Sequence, residues 1–208
     1  MIHTDNSIHD DINDNNILIH TDNNVLVHIE HDAEYANTLR RTMIRDVPTL
    51  AIDAVNIYSN TSVLIDEIIV HRISLLVINS MSMDDEISFD LDVSFEDSNN
   101  LDSSENVLRN YYDVTADMLQ PQGYFAHPKA IIVRLYKGEK LKLKAFIKKG
   151  TGKEHAKWCP VSVIGYNFDN NRVIMVIESV GGMSSEEILK QAKLLVGNNN
   201  SEKLNQYK

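Results

Sequence analysis

Two histidines and the single cysteine have the side-chain chemistry for metal binding or nucleophilic catalysis. His155 and Cys159 are four positions apart, and His127 lies upstream. A structural zinc site needs four nitrogen or sulfur ligands, and the His155–Cys159 pair supplies two. A catalytic thiol needs a base, a group that orients that base and an oxyanion hole. Because Pro160 follows Cys159 directly, we expect a partly buried structural thiol at an extended or turn position.

Two other patterns have the composition of ligand-binding loops without their spacing. In Gly150-Thr151-Gly152-Lys153, a phosphate loop would need glycine at position 147 and Ser or Thr at position 154, where Ile147 and Glu154 stand. A calcium loop beginning at Asp11 would need Gly at its sixth position and Glu at its twelfth, but Asn and Asp occupy them. The sequence therefore predicts no metal, no cofactor and no catalytic residues.

Charge is strongly segregated along the chain. The formal net charge of −10 argues against a protein that coats nucleic acid. Residues 1–34 and 84–105 hold eight and nine acids and no Lys or Arg, whereas residues 129–157 hold ten Lys or Arg and two acids. Lysines that alternate along 141–148 indicate a solvated face of an edge strand. A nucleic-acid-binding module using the basic 129–157 segment is the alternative function.

Composition limits the class and location of the protein. Of the 208 residues, 43% are apolar and 24% charged, as in soluble globular proteins. No apolar run approaches the roughly 18 residues of a membrane span, and the N-terminus lacks a secretory signal pattern. We expect an intracellular protein, in the nucleus or the cytoplasm depending on its source. Abundant Asn, Ile and Asp are compatible with an AT-rich genome, so a viral source and a virion location also fit.

The first part of the chain predicts a hairpin followed by an amphipathic helix. Residues 17–20 and 25–31 are short β-type runs around Thr-Asp-Asn-Asn. A helix is predicted over 33–46, with Pro48 ending it near Val47. One stripe of that helix is apolar, at Ala36, Leu39, Met43 and Val47.

The middle and last parts predict more strands and two further helices. Residues 59–62 are interpreted as a turn and helix cap before a helix over 63–74. A second hairpin is predicted at 161–168 and 172–179, and then a helix over 184–196 with a Ser184–Glu187 capping box and Gly197 as its end. The other predicted strands span 50–58, 87–95, 111–117, 130–136 and 141–148.

Hairpin-plus-helix elements near both ends indicate one domain built from two separate segments. We predict a domain of residues 17–49 plus 160–197, interrupted by an inserted, mainly β domain at 50–159. Residues 1–16 are interpreted as a flexible acidic arm and residues 198–208 as a flexible tail. The fold class is therefore α+β.

Two separated sequence blocks have a specific motif pattern. The first runs from Ala36-Asn37-Thr38-Leu39-Arg40-Arg41-Thr42-Met43 through Val47–Asp53 to Asn60–Arg72, which contains Asp66-Glu67 and His71-Arg72. The second is Gly152-Lys153-Glu154-His155-Ala156-Lys157-Trp158. Together they closely resemble the α/D family of cellular RNA polymerase, the assembly subunit of that enzyme, and the second block resembles its archaeal and eukaryotic branch. The resemblance implies an α N-terminal-like dimerisation domain with an inserted domain.

The resemblance also implies a function and a set of partners. It implies a non-catalytic scaffold subunit of DNA-directed RNA polymerase that heterodimerises with a small α-like subunit of the archaeal L type. It further implies docking of the second-largest, β-like subunit and of small zinc-binding subunits, with DNA contacted only indirectly and no membrane. The partner-interface residues would be Asn37, Leu39, Arg40, Arg41, Met43, His71, Arg72, Lys153, Glu154, His155, Lys157, Trp158, Ile188 and Leu195.

The chain departs from this family in its turn and cysteine patterns. Relatives usually have Gly and Pro after the His-Arg pair, where Ser74 and Val77 stand. Many relatives carry a multi-cysteine zinc or iron–sulfur element in the inserted domain, which a chain with one Cys cannot form. The last helix and tail are short for the family, and no second α-like module follows, so we expect the dimerisation partner to be a separate chain.

Overall fold

A computed structural model describes residues 18–21, 24–29, 33–79, 87–96, 110–169 and 172–206. It divides into two compact units, the first of residues 1–47 and 151–208 and the second of residues 48–150. The arm predicted at 1–16 lies outside the described residues. That the two units are separate folding domains stays a prediction.

The first unit is a four-stranded antiparallel sheet that packs against two helices. Its strands are β1 (Leu18–Thr21), β2 (Asn24–Ile29), β8 (Val161–Asp169) and β9 (Arg172–Ser179), in the order β1-β2-β9-β8. The two predicted hairpins are confirmed, and β2 pairs with β9, with Val27 opposite Met175. Strands from both ends of the chain therefore share one sheet.

Helices α1 (Ala33–Arg45) and α3 (Ser185–Gln206) pack against each other, with α1 on β8 and α3 on β2 and β9. The predicted α1 stripe is confirmed, because Ala36, Leu39, Met43 and Val47 are all buried. Spacing of three and four residues brings these side chains to one helix face. They join one core with β9 and α3 residues, including Val173, Met175, Ile177, Ile188, Leu189 and Ala192.

The predicted end of the last helix at Gly197 is wrong. The helix α3 continues to Gln206, and Gly197 does not have the positive φ of a glycine that ends a helix. Half of the predicted capping box is present, since the Glu187 amide donates to Ser184 Oγ at 3.3 Å. The Glu187 carboxylate instead accepts a hydrogen bond from the Gln191 amide.

The second unit is mainly β. Strands β3 (Pro48–Asn60), β4 (Ser88–Ser94) and β7 (Lys140–Thr151) form a sheet in the order β3-β7-β4, and β5 (Tyr111–Thr115) pairs with β6 (Ile131–Tyr136). Helix α2 (Asp66–Ser74) packs on β3 and β6. The core includes Ile52, Ile69, Phe89, Leu119, Leu135 and Leu143.

Two details of this unit differ from the sequence prediction. Helix α2 begins at Asp66 and has no side-chain cap, because its N-cap residue is Ile65, which has no polar side chain. Asn60 Oδ1 accepts from the Ser62 amide at 3.0 Å and from the Ser62 hydroxyl at 2.7 Å. Strand β7 is the middle strand of its sheet, so its lysines do not mark a sheet edge. The α+β fold class is confirmed.

Two phenylalanines of the second unit, one buried in the core and one partly exposed, allow a matched pair of substitutions. Phe89 on β4 is fully buried, and its ring centroid lies 4.9 Å from that of Phe125. We expect Phe89→Ala to lower the free energy of unfolding by about 3–5 kcal/mol, because it leaves a cavity. Phe146, on the neighbouring β7, is partly exposed, so Phe146→Ala should cost about 1 kcal/mol or less. Chemical denaturation measures both, and equal losses would contradict this account of the core.

Candidate functional site

Helix α1 presents arginines outward while its apolar stripe faces the sheet. Arg41 is exposed and Arg40 is half-buried. The Arg40 Nη2 atom donates to Asn37 Oδ1 at 3.0 Å, and its guanidinium carbon lies 6.0 Å from the centre of the Tyr166 ring. Its Nε atom is buried and has no hydrogen-bond partner among the described residues. Because an unpaired buried donor is costly, this arginine is suited to donating a hydrogen bond to an oxygen atom of another molecule.

A cleft of about 350 Å³ opens between α1 and the β8–β9 hairpin. We call it the α1 cleft. Its floor is apolar, and two aromatic side chains form one wall, with Phe168 61% exposed and the Tyr166 and Phe168 rings edge to face at 5.8 Å. A sheet buries its apolar face against other elements, so this uncovered part can pack against another chain. The lining residues are Ala33, Glu34, Ala36, Asn37, Arg40, Tyr166, Phe168, Val173 and Met175.

The Gly152–Trp158 block contacts the C-terminal end of α1 through its backbone. The Lys153 amide donates to the Arg45 carbonyl at 2.9 Å, which satisfies one of the carbonyls left free at the helix end. Gly152 lies so close to α1 that a Cβ atom added there would stand 2.2 Å from the Ile44 carbonyl oxygen. Residues 151–159 therefore belong with the first unit, whereas the sequence prediction placed them in the inserted domain.

The groups whose side chains could serve catalysis or zinc binding have partners within the chain. His155 Nδ1 accepts from the Lys157 amide at 3.0 Å, which caps the short 3-10 helix Ala156–Trp158. The Lys157 ammonium lies 4.3 Å from the centre of the Trp158 ring. Cys159 is half-buried, as predicted, and its thiol donates to the Val161 carbonyl at 3.2 Å. Among the described residues, no cluster of three or more His, Cys, Asp or Glu could hold a metal ion.

The His-Arg pair lies in the second unit, at the end of α2. His71 and Arg72 are both exposed, as a partner contact requires. The Arg72 Nη2 atom donates to the Ile131 carbonyl of β6 at 2.7 Å. This hydrogen bond fixes the guanidinium beside the exposed part of β6.

The lysines of the basic segment pair with acids of this same chain. On adjacent strands, Lys142 Nζ lies 2.5 Å from the Asp92 carboxylate, and Lys144 Nζ lies 3.5 Å from the Asp90 carboxylate. The hydrogen bond to Asp92, followed by its charge, raises the pKa of Lys142. These two lysines of the basic segment therefore contact one of the acidic stretches of the same chain.

The structure separates the sequence-predicted interface residues into a surface set and a core set. Leu39, Met43, Trp158 and Ile188 are buried inside the first unit. They hold the docking elements in place and do not reach a partner, which corrects their assignment as contacts. The surface or half-buried members are Asn37, Arg40, Arg41, His71, Arg72, Lys153, Glu154, His155, Lys157 and Leu195.

Sequence reasoning missed the aromatic wall of the α1 cleft. Tyr166 and Phe168 alternate along β8, a pattern that predicts one shared sheet face. Their partners in register are Met175 and Val173, both buried. From this alternation, both aromatic residues could have been predicted on the helix-facing side of the sheet. It could not have shown that the helices leave them uncovered.

The geometry of the first unit is that of a protein-docking module. A family model described as the RNA polymerase Rpb3/Rpb11 dimerisation domain matches residues 26–193. The chain belongs to this family. Within the part of the chain that the structure describes, no helix is long and apolar enough to cross a bilayer.

Curated relatives are RNA polymerase subunits. The chain is 39% identical over 158 residues to DNA-directed RNA polymerase II subunit rpb3 of Dictyostelium discoideum, which covers 66% of this chain and 51% of the relative. Identity is 32% over 166 residues to subunit Rpo3 of Methanocaldococcus jannaschii, and the alignment covers 79% of this chain and 80% of the relative. Identity is 35% over 182 residues to subunit 3 of RNA polymerases II, IV and V of Arabidopsis thaliana, and the alignment covers 76% of this chain and 57% of the relative. The chain thus spans about half the length of the Dictyostelium and Arabidopsis relatives.

The close contact between residue 152 and the backbone of α1 predicts that glycine is required at this position. We expect Gly152→Ala to lower the free energy of unfolding by about 1–3 kcal/mol, because the new methyl group meets a helix carbonyl and not a movable side chain. The matched control is Gly165→Ala on β8, where no atom lies within 4 Å of the added Cβ. Thermal unfolding measures the loss of stability in each variant. Equal losses at the two glycines would refute the close contact between residue 152 and α1.

Proposed function

We propose that this chain is a non-catalytic assembly subunit of a multisubunit DNA-directed RNA polymerase. The observation that carries the proposal is the first unit, in which segments from both ends of the chain build a helix-covered sheet. The match of residues 26–193 to the dimerisation-domain family supports it. The names of the relatives support the enzyme to which it would belong. A polymerase subunit acts inside the cell, so the proposal implies an intracellular protein.

The proposed mechanism is the burial of surface between subunits. A small α-like subunit of the archaeal L type would pack against the α1–α3 side of the first unit and cover the α1 cleft. The second-largest subunit would bind Arg40 and Arg41, whose planar guanidinium groups suit carboxylates and backbone carbonyls. Small zinc-binding subunits would join this platform. The core formed by Leu39 and Met43 keeps α1 rigid, so little order has to be gained on binding.

The first experiment tests heterodimer formation. Co-expression of the full chain with the small α-like subunit of the same polymerase should yield a one-to-one complex in size-exclusion chromatography. Phe168→Ala should weaken that complex by about fivefold or more, since it removes an exposed aromatic wall. Val176→Ala on β9, whose side chain is also exposed but does not line the cleft, is the control. A chain that binds no polymerase subunit would refute the proposal.

The second experiment tests the arginine pair on α1. The double variant Arg40→Ala and Arg41→Ala should weaken association with the second-largest subunit by about tenfold or more and leave the melting temperature nearly unchanged. Arg45→Ala is the control, since Arg45 already pairs with Asp46 at 2.9 Å. Normal co-purification of the whole enzyme with the double variant would rule out this interface.

The nucleic-acid-binding alternative is not favoured. Two lysines of the segment are paired within the chain. This chain matches the dimerisation-domain family, and its relatives are polymerase subunits. We expect the isolated subunit to show no tight DNA binding in fluorescence anisotropy at about 50 mM salt. Tight binding that weakens steeply between about 50 and 200 mM salt would support the alternative instead.

A further inference from the structure

The backbone register of the first unit shows where the acidic arm, residues 1–16, joins the sheet. The arm precedes β1, in which Leu18 pairs with Val27 of β2. Val27 in turn pairs with Met175 of β9, and Met175 pairs with Tyr166 of β8. Leu18 therefore stands in one row of the sheet with two residues that line the α1 cleft.

The chain also enters β1 at the end of the sheet where the α1 cleft lies. Because β1 is antiparallel to β2 and Leu18 pairs with Val27, the chain before Leu18 joins from the side of Ile29. In the row of Ile29, that residue pairs with Val173, and Val173 pairs with Phe168. Val173 and Phe168 both line the α1 cleft.

The distance from the start of β1 to the cleft is short compared with the length of the arm. Leu18 and Tyr166 are three strand spacings apart, which is roughly 14 Å. An extended chain covers about 3.3 Å per residue, so five residues are enough to span it. Residue 12, six positions before Leu18, is therefore within reach of the cleft.

The charge of the arm complements an arginine of the cleft. Residues 1–16 hold four Asp and no Lys or Arg. Arg40 bonds to the neutral Asn37 side chain, and its buried Nε atom has no hydrogen-bond partner among the described residues. Glu34 also lines the cleft, but six helical residues separate it from Arg40 by about 9 Å, a distance over which salt screens much of its repulsion. A carboxylate beside Arg40 is thus favoured.

We infer that residues 8–12 of the arm, Ile-His-Asp-Asp-Ile, occupy the α1 cleft of the isolated chain and have to leave it before another subunit can cover it. Ile12 would pack against the exposed ring of Phe168, and the Asp10 carboxylate would accept a hydrogen bond from Arg40 Nε. This inference rests on the proposed function, in which the small α-like subunit covers the α1 cleft, and it adds a regulation of that binding.

The spacing of the arm residues matches the spacing of the groups in the cleft. An arm that enters from the end of the sheet meets Phe168 before Tyr166, whose ring centre lies 6.0 Å from the Arg40 guanidinium. Phe168 and Tyr166 are two positions apart on one strand, a separation of about 7 Å. An extended segment places Ile12 and Asp10 the same distance apart.

The chain's own arm suits the cleft better than a second copy or a nucleic acid does. Each copy carries a net charge of −10, so two copies repel each other. Nucleic acid needs several cations that follow its phosphates, and the cleft is lined by one arginine. A tethered segment within reach has an effective concentration on the order of millimolar, so even a weak contact is occupied.

Intrachain crosslinking tests the contact in the isolated full chain. Photoreactive benzoylphenylalanine replaces Ile12, and the irradiated chain is digested for mass spectrometry. We expect a product of monomer size in which the arm is joined to the peptide that contains Phe168. Benzoylphenylalanine at Ile2, an apolar arm position outside residues 8–12, is the control and should give clearly less of this product. A product of dimer size, attachment elsewhere, equal yields at the two positions or no crosslink would overturn the inference.

Charge reversal in the arm tests the effect on subunit binding. Asp10→Lys with Asp11→Lys should tighten binding of the small α-like subunit by about threefold or more, because an occupied cleft lowers the apparent affinity. Asp11 is included so that it cannot replace Asp10. Asp5→Lys with Asp14→Lys changes the net charge equally but leaves residues 8–12 intact, so its affinity should stay near that of the wild type. Calorimetric titration measures both, and equal affinities of the two double variants would contradict the inference.

The crosslink needs no partner, so it separates this inference from the proposed function. A chain that binds the small α-like subunit while its arm does not crosslink to the cleft would refute the inference alone. A chain that binds no polymerase subunit would refute the proposed function, and with it the regulation. In the heterodimer the crosslink should be suppressed. Undiminished crosslinking there would show that the arm does not have to leave, which would also overturn the inference.

Discussion

The first unit depends on burying the apolar stripe of α1 against a sheet made from both ends of the chain. Leu39 and Met43 have no exposed surface, and they pack with Met175 and Ile177 from the far end of the sequence. Burying side chains of this size contributes roughly 1.5–3 kcal/mol each. This core is built from two segments that are far apart in the sequence. The residues that separate the two segments, 48–150, form a compact unit of their own. The same packing orients Arg40 and the α1 cleft.

A close backbone approach secures the other end of α1. Gly152 lies directly against the Ile44 carbonyl, and the Lys153 amide bonds to Arg45. The Gly-Lys-Glu-His-Ala-Lys-Trp block thus has a structural reason for its composition in this chain. His155 caps a 3-10 helix and Trp158 is buried. Its residues support α1, whether or not they also contact a partner.

Paired and unpaired charges distinguish the two kinds of basic surface in this chain. The lysines of β7 lie opposite aspartates of β4, so the most basic segment is partly neutralised within its own sheet. Arg40, beside the α1 cleft, keeps hydrogen-bonding capacity that the described part of the chain does not use. Electrostatic complementarity contributes more to partner choice than to raw affinity, which fits the proposed assembly function.

The sequence by itself determined the elements, the α+β class and the family resemblance, because hydrophobic periodicity and motif order are local properties of the chain. It predicted the α1 stripe, both hairpins and the half-buried Cys159 correctly. Tertiary structure decided what depends on distant residues: that β7 is a middle strand, that residues 151–159 pack on α1, and that Leu39, Met43, Trp158 and Ile188 are core residues. Exposure of Phe168 and Tyr166 was likewise decided there, since periodicity shows which side chains share a face but not whether another element covers it.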